Sequence, residues 1–261
     1  MKVDYSTITE LPESKVLPIQ VDRSYSRYKF ATAFCEGKEV LEVACGGGQG
    51  LGLLAATAKK VVGGDYEQNN LAHARTTYQK RPEIEVTHLD AHHLGFPDQS
   101  FDVILLYEAI YYLKDVEAFF RGAHRVLRPG GTLIICTTNK DWPDFNPSPM
   151  SHRYFSIPEL DDLCHRHWFQ SEMYGAFPDD TSSGQAKLRS LIKRCAVKCH
   201  LMPKTMKGKV LLKRLFFGGL VTMPREFKEG DGKYTSPVNL SSKLVDSVHT
   251  AIYVVARKIG Q

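Results

Sequence analysis

The chain has 261 residues, of which 43% are hydrophobic and 24% are charged, and it carries a formal net charge of +5. These values are ordinary for a soluble globular protein, and a chain of this length buries a large core without disulfide or metal staples. No run of 18 apolar residues occurs, which predicts no transmembrane segment. The polar start lacks a signal-peptide core and the six cysteines are scattered, so we expect a cytoplasmic protein with reduced thiols.

Strand-like and helix-like segments alternate along the first two thirds of the chain. This alternation indicates an α/β fold whose mostly parallel, seven-stranded sheet carries helices on both faces. Predicted strands lie at 39–44, 60–64, 84–89, 101–107, 132–137, 169–177 and 251–256, and predicted helices at 24–34, 50–59, 67–79, 115–127 and 156–167. Ser156 and Glu159 form a capping box at the start of the last of these helices.

The distribution of elements and charge predicts three regions. Residues 1–178 form the α/β core with an N-terminal helical segment, 179–236 a basic and mostly helical insertion or cap, and 237–261 a return to the sheet. Between 186 and 233 there are 13 Lys and Arg residues but only 3 Asp and Glu. Leu, Ile and Phe interleave with these charges. The segment would suit RNA, a membrane surface or an anionic acceptor, or else cover the core with a solvated basic face.

A glycine-rich turn follows the first predicted strand, in the stretch VLEVACGGGQGLGLLA that starts at Val40. A strand-turn-helix unit directs free backbone N–H groups to one point, and glycine lets a ligand approach them. The turn is not a P-loop, since no Gly-Lys-Ser/Thr follows. A dinucleotide G-x-G-x-x-G also fails, because counting from Gly46 or Gly48 places leucine at the third glycine. A plain structural turn is a further alternative.

Two acidic residues follow the next two predicted strands. Asp65 ends the strand VVGGD, 19 residues after Gly46, where a carboxylate can accept both hydroxyls of a ribose. Asp90 ends the strand VTHLD. Ligands of open α/β sheets bind beyond the carboxyl ends of the strands, which is where both acids are predicted.

Together these motifs resemble the class I S-adenosylmethionine-dependent methyltransferases. The family's acidic residue and G-x-G-x-G read here EVACGGG from Glu42 to Gly48, with Ala44 at the first glycine. The runs PDQSFDVILLYEAIYYLKD and VLRPGGTLII are similar to the motifs around the family's fourth and fifth strands, and the likeness covers about residues 25–173. It implies a Rossmann-like sheet, S-adenosyl-L-methionine as the cofactor, and methyl transfer.

The resemblance also implies roles for individual residues. Arg27, in the run RYKFA, would bind the methionine carboxylate, or else be an exposed helix residue. Asp65 would bind the ribose and Asp90 the adenine amino group, with the Ala91 amide on a ring nitrogen and Tyr66 over the adenine. The implied cofactor-binding residues are Arg27, Glu42, Ala44, Gly46, Gly48, Asp65, Tyr66, Asp90, Ala91 and Tyr107.

Candidate catalytic residues are expected beyond the carboxyl ends of the fourth and fifth strands. Glu108 follows the fourth strand and would orient or deprotonate the acceptor, or else position groups on the cofactor side. His152 lies in a loop predicted for 139–154, and an imidazole can act as a general base near neutral pH. An ordinary loop histidine is the alternative. Tyr111 and Tyr112 are further candidates, whereas His124 falls inside a helix and is set aside.

No metal site is predicted. Several cysteines and histidines occur after residue 160, but their C-x2-H and C-x3-C-H spacings match no zinc ribbon or finger. These residues are Cys164, His167, Cys195, Cys199 and His200.

We therefore expect a methyltransferase that acts on a small molecule, with a sugar, polysaccharide or natural-product precursor favoured. A lipid-linked or phosphorylated sugar would suit the basic segment, in which Lys213 and Arg214 are predicted to contribute to acceptor binding. The alternatives are an RNA methyltransferase, which the basic segment permits, and a regulatory or binding protein that keeps the cofactor fold without turnover.

Overall fold

A computed structural model describes residues 9–179 and 219–260. Within these ranges, eight strands form one sheet in the order β4-β3-β2-β5-β6-β10-β7-β9, and β1 pairs with β8 in a separate two-stranded sheet. The strands are β1 (Lys15–Val16), β2 (Glu39–Val43), β3 (Lys60–Asp65), β4 (Ile84–His88), β5 (Phe101–Tyr107), β6 (Leu127–Thr138), β7 (Phe169–Pro178), β8 (Val221–Thr222), β9 (Val238–Leu240) and β10 (His249–Lys258). The helices are α1 (Pro18–Thr32), α2 (Leu51–Ala55), α3 (Gln68–Tyr78), α4 (Val116–Val126) and α5 (Ile157–Arg166), with a short 3-10 helix at Ile110–Tyr112.

The first five strands in the sheet order run parallel, which places their carboxyl ends along one edge. The chain runs outwards from β2 to β3 and β4, and then crosses to β5 on the other side of β2. A crevice opens where the direction switches, and ligands of open α/β sheets bind at such a point. β10 runs antiparallel between β6 and β7, and β9 runs antiparallel along β7.

The predicted α/β class and mostly parallel sheet are confirmed, but the sheet has eight strands in the described part of the chain instead of seven. The additional strand, β9, has three residues, which is too few for a periodic pattern. β6 begins at Leu127, directly after α4, so the Arg-Pro-Gly-Gly run lies inside this strand instead of before it. α2 ends at Ala55, short of the predicted residue 59. Lys59 N–H already donates to Lys38 O at 2.9 Å, where the chain re-enters the sheet.

Helix α5 begins as predicted. Ser156 N–H donates to the Glu159 carboxylate at 2.7 Å, which confirms the capping box. None of the helices that the structure describes combines the length and the apolar content that crossing a membrane requires.

The core fills both faces of the sheet. In β5, Ile104 and Leu106 pack into one cluster, whereas Val103 and Leu105 pack into the other, and all four side chains are fully buried. A parallel strand that is covered on both faces reads as a continuous apolar run, which explains the sequence FDVILLY.

A third apolar cluster lies apart from the sheet. β1 and β8 join residues near the two ends of the described chain, since Lys15 pairs with Thr222. Val16, Met223 and Phe227 pack against α1 there and are almost completely buried. We call residues 9–16 and 219–227 the cap.

The predicted division at residues 178 and 236 stays a prediction. Most of the predicted basic insertion, residues 180–218, lies outside the described residues. Cys195, Cys199, His200, Lys213 and Arg214 therefore lie outside them as well.

Candidate active site

A cavity of about 820 Å³ lies at the carboxyl ends of the parallel strands. Residues that follow β2, β3, β4 and β5 line one side, and the cap with α1 lines the other. Nearly all of the residues implied by the sequence contribute to its wall: Arg27, Glu42, Ala44, Gly46, Asp65, Tyr66, Asp90, Ala91, Tyr107, Glu108 and His152. Gly48 is the exception.

Every second residue from 44 to 48 in the glycine turn adopts a left-handed backbone conformation. Ala44, Gly46 and Gly48 have φ values of 60°, 58° and 78°. Glycine adopts this region without strain, whereas an L-residue with a Cβ costs about 1 kcal/mol or more there. Ala44, which stands at the family's first glycine, is therefore strained by its backbone.

Replacing Ala44 with Gly is expected to raise the free energy of unfolding by about 0.5–1 kcal/mol, because the relief of strain exceeds the added freedom of the unfolded chain. In thermal unfolding this corresponds to an increase of about 1–3 °C in Tm. Ala56, which has a right-handed φ of −63°, provides the matched control. Ala56→Gly should lower the Tm, and a lower Tm for Ala44→Gly would contradict the proposed strain.

Gly48 is not among the residues that line the cavity, and its predicted role in cofactor binding stays a prediction. A Cβ at this position would lie 2.7 Å from the Ala74 Cβ of α3, which makes Gly48 a packing glycine. Gly50 has a similar task, because a Cβ there would lie 2.1 Å from the Tyr28 Cζ. The missing side chain at Gly50 lets the Tyr28 ring lie against the turn.

Gln49, the non-glycine residue between them, connects the turn to the cap. Its side-chain amide donates to Glu10 O, and its carbonyl accepts the Phe227 N–H at 2.7 Å. Thr9 lies over the same turn, since a Cβ at Gly46 would be 3.1 Å from the Thr9 Cγ2. Both ends of the cap are therefore held above the glycine turn.

Glu42 lies beneath the turn with only 1% of its surface exposed. Tyr28 OH donates to Glu42 Oε1 at 2.8 Å, whereas Oε2 is buried without a hydrogen-bond partner among the described residues. Burial raises the pKa of Glu42 to about 8, against the opposing effect of the Tyr28 hydrogen bond. The unpartnered oxygen can accept a hydrogen bond from a cationic ligand in the cavity.

Asp65 holds the turn in place from the end of β3. Its Oδ2 accepts the Gly46 N–H at 2.8 Å, and its Oδ1 accepts the Glu67 N–H at 2.8 Å and the Asn70 amide at 3.2 Å. Burial raises the pKa of Asp65, and these three N–H donors oppose the shift. The carboxylate therefore links β3, the glycine turn and α3.

Asp90 is oriented by His92. Its Oδ1 accepts the His92 N–H at 2.9 Å and lies 2.8 Å from the ring Nδ1. Lys114 N–H donates to Nε2 of the same ring, which assigns the proton to Nδ1. Burial opposes ionisation of Asp90, but the His92 amide and ring together lower its pKa. Both contacts with His92 use Oδ1, and Asp90 lines the cavity.

Tyr66 and Tyr107 occupy different parts of the wall. Tyr66 is 40% exposed after β3, with its ring centroid 5.6 Å from that of His88. Tyr107 is buried at the end of β5, where its hydroxyl donates to Arg27 O at 3.2 Å. Tyr66 is accessible to a flat ring, whereas Tyr107 positions α1.

Glu108 is held by three nitrogen and oxygen donors, and the Cys136 Sγ–H is a weaker fourth donor at 3.9 Å from Oε1. Arg27 Nη2 lies 3.0 Å from its Oε1, and the hydroxyls of Tyr111 and Thr138 each donate to Oε2 at 3.0 Å. Its φ of 50° is a left-handed conformation, which turns the side chain back towards α1. Both oxygens of the carboxylate are engaged by these donors, so the geometry favours orientation of neighbouring groups over deprotonation.

Arg27 is the cationic partner of this carboxylate. Burial opposes its charge, but Glu108 raises the pKa of Arg27 above its usual value. Its Nε is buried without a hydrogen-bond partner. A second anionic group in the cavity can therefore approach the same guanidinium.

His152 enters the wall from the loop between β6 and α5. Its backbone N–H donates to Tyr111 O at 2.8 Å, which ties the loop to the residues after β5. The side chain is exposed at the cavity. His152 and Glu108 therefore reach the same cavity from different strand ends.

Several wall residues gave no local signal in the sequence. Arg23, Thr138, Trp142, Phe177 and Thr250 line the cavity next to Glu108 or across the antiparallel strands. Arg23 lies one helical turn before Arg27, which is the one sequence relation that could have indicated it. Phe177 and Thr250 reach the cavity only because β7 and β10 join the sheet, whereas Thr138 and Trp142 lie at and just after the end of β6.

The donor set matches the chemical groups of S-adenosylmethionine. An ammonium and a sulfonium need negative or hydrogen-bond-accepting groups, which the Glu108 carboxylate and the Glu42 carboxyl supply, and a carboxylate needs a cation such as Arg27. Asp65 and Asp90 offer acceptors for ribose hydroxyls and an amino group. The unpartnered Glu42 Oε2 and Arg27 Nε are the observations that fit a ligand carrying both charges.

Residues 41–135 match the protein family described as methyltransferase domain. This part of the chain is therefore a methyltransferase domain, and the fold around it is that of the class I S-adenosylmethionine-dependent methyltransferases. S-adenosyl-L-methionine is the cofactor of the class.

Individual relatives match parts of the chain. A probable S-adenosylmethionine-dependent methyltransferase of Mycolicibacterium smegmatis is 35% identical over 144 residues, which cover 53% of this chain and 54% of the relative. A ubiquinone biosynthesis O-methyltransferase of Bartonella bacilliformis is 27% identical over 132 residues, covering 50% and 53%. The chain thus spans about half the length of these curated relatives. The crystal structure of the YcgJ protein of Bacillus subtilis has the same fold, with a TM-score of 0.58 over 92% of this chain and 100% of that chain at 16% identity.

Proposed function

We propose that this protein transfers the methyl group of S-adenosylmethionine to a small-molecule acceptor. The observation that carries the proposal is the continuity of the cavity, which runs from Asp90 past Gly46 to Glu108 and His152. Its volume of about 820 Å³ lies within the range of sites that enclose drug-sized ligands, and it leaves room beside a cofactor.

The sheet order divides this cavity into two halves. Adenosine would lie over β3 and β4, against Asp65 and Asp90, and the methionine part over β2 and β5, against Glu42 and Arg27. The remaining half lies over β6, β10 and β7, where Trp142 and other aromatic side chains line the wall. We assign that half to the acceptor.

When bound, the cofactor supplies an electrophilic methyl group, so the chain's own task is to align an acceptor and exclude water. Arg27, Tyr111 and Thr138 fix the Glu108 carboxylate between the two halves. The cap covers the glycine turn and limits the access of solvent. His152 would accept the proton of an acceptor hydroxyl, and oxygen methylation agrees with the name of the Bartonella relative.

Asp65→Ala is expected to weaken binding of S-adenosylhomocysteine by about 1–3 kcal/mol, the scale for losing a charged hydrogen-bond partner. Part of the loss comes from the ribose hydroxyls and part from the Gly46 N–H, which would lose its acceptor. Asp65→Asn should lose less, because an amide oxygen can still accept one bond. Isothermal titration calorimetry measures both variants.

The matched control is Asp98→Asn, an exposed aspartate that pairs with Arg125 and does not line this cavity. The affinity of this variant for S-adenosylhomocysteine should equal that of the wild type. Unchanged affinity in Asp65→Ala would contradict the ribose assignment.

A direct test of the function uses methyl-labelled S-adenosylmethionine with panels of sugars, phenols, aromatic acids and total RNA. Labelling of a small molecule is the expected result. RNA-dependent labelling would instead support the alternative based on the basic segment, most of which lies outside the described residues. Failure of a folded wild-type protein to bind S-adenosylhomocysteine would overturn the proposal.

A further inference from the structure

Arg23 is a guanidinium in the acceptor half of the cavity that lacks an anionic partner among the described residues. It is half-buried, lines the cavity, and forms neither an ion pair nor a hydrogen bond with any part of the chain that the structure describes. Its Nε is completely buried and unpartnered. A charged group that is removed from water without a partner is costly, and such groups are often retained for binding.

The nearby carboxylates are already engaged by other donors. Glu108 is held by Arg27, Tyr111 and Thr138, as described above. Asp179 accepts the Trp142 indole N–H at 2.8 Å. Burial lowers the pKa of Arg23, the charge of Arg27 adds to this effect, and Glu108 and Asp179 only oppose it from a distance.

The position of Arg23 assigns it to the acceptor rather than to the cofactor. Its guanidinium carbon lies 5.2 Å from the centre of the Phe177 ring at the end of β7. Arg27, one turn later on α1, instead reaches Glu108 after β5. The side chains of Arg23 and Arg27 therefore lie in different halves of the cavity.

The surroundings of Arg23 suit an anion on an apolar body. The guanidinium carbon lies over the Phe177 ring, and an arginine can direct its in-plane N–H groups to a carboxylate or phosphate. Thr250, at the start of β10, is next to this site in the sheet, because the flanking residues Ala251 and Ala176 are paired. Its hydroxyl is also buried without a partner.

We propose that Arg23 forms a subsite for an oxyanion, a carboxylate or a phosphate, carried by the methyl acceptor. This inference rests on the proposed function, since it identifies the chemical class of the acceptor. The aromatic residues Trp142, Tyr111 and Phe177 hold the apolar part, and Arg23 holds the charge.

The test titrates benzoate, phenyl phosphate and benzyl alcohol into the protein, with and without saturating S-adenosylhomocysteine, by calorimetry. At least one of the two anions should bind saturably. Arg23→Gln should weaken its binding about 10- to 100-fold, the range for a hydrogen-bonded charge, without affecting benzyl alcohol. Arg23→Lys should retain part of the affinity, because it keeps the charge but not the planar fork. Preference for benzoate identifies a carboxylate, and preference for phenyl phosphate identifies a phosphate.

The matched control is Arg121→Gln, an exposed arginine on α4 that does not line the cavity and should leave anion binding unchanged. Equal anion binding by Arg23→Gln and the wild type would overturn the inference, as would the absence of saturable anion binding to the wild type. A loss confined to S-adenosylhomocysteine affinity would assign Arg23 to the cofactor and overturn it as well.

Two further readouts separate this inference from folding and from the proposed function. Arg23→Gln also removes the contact with the Phe177 ring, so the Tm of the ligand-free protein should change only slightly, and a large fall would mean that Arg23 has an ionic structural partner, contrary to the inference. Binding of S-adenosylhomocysteine to the wild type judges the proposed function by itself. The anion titrations without S-adenosylhomocysteine test the oxyanion subsite at Arg23.

Discussion

Replacing Glu42 with Gln is expected to raise the free energy of unfolding at pH 9 by about 2–5 kcal/mol and to change it little at pH 5, since each unit of pKa shift corresponds to about 1.4 kcal/mol. The carboxyl ionises near 4.5 in the unfolded chain but near 8 in the folded protein. The folded state therefore holds this proton more tightly. The stabilisation that it provides is complete below about pH 4.5 and is lost as the pH rises through about 8.

Glutamine keeps the shape and the acceptor for Tyr28 OH but has no proton to lose. Denaturant unfolding of the wild type and Glu42→Gln between pH 5 and pH 9 measures the difference. Glu85→Gln is the control, because Glu85 is half-exposed on β4 and pairs with Lys60 at the surface. If the free energy of unfolding had the same pH dependence in Glu42→Gln and in the wild type, the carboxyl would not be buried in its neutral form.

The largest kinetic effect is expected for His152→Ala with an oxygen acceptor. A positioned general base contributes about 10²–10⁴-fold, so kcat should fall by about 100-fold or more while S-adenosylhomocysteine affinity stays unchanged. The release of S-adenosylhomocysteine measures turnover with whichever acceptor the labelling panel identifies.

His73→Ala, which removes an exposed histidine of α3, is the matched control and should keep the wild-type kcat. His152→Gln tests the proton more narrowly, since it keeps hydrogen bonding without a base near neutral pH. Wild-type turnover in both His152 variants would remove this residue from the proton transfer.

The sequence could indicate the cofactor half of the site because its signals are local. Gly46, Asp65 and Asp90 each follow a strand with an apolar run, and the parallel fold brings such strand ends together. The backbone conformations of the glycine turn were harder to predict from the sequence. Gly48 looks like a ligand contact in the motif, yet its missing Cβ serves the packing of α3.

The acceptor half could not be read in this way, because its residues meet through long-range contacts. Thr250 and Phe177 meet the cavity only because β10 lies between β6 and β7. Nothing in the sequence distinguishes Arg23 from other arginines on a helix. Only the positions of the surrounding carboxylates in the fold show that it has no anionic partner among the described residues.

The position of β10 has a consequence for how the protein is made. This strand is the last one of the described chain, yet it occupies an interior place in the sheet, paired with β6 on one side and β7 on the other. A ribosome must therefore release almost the whole described sequence before β10 can pair with either neighbour. Until then β6 and β7 expose unpaired backbone edges, which are sites of aggregation.

A nonsense mutation before His249 would accordingly remove an interior strand instead of an edge strand, and it would leave β6 and β7 each with an unpaired edge. The truncated product should accumulate as insoluble material or be degraded. Protein quality control would thus discriminate sharply between a chain that contains β10 and one that stops a few residues before it.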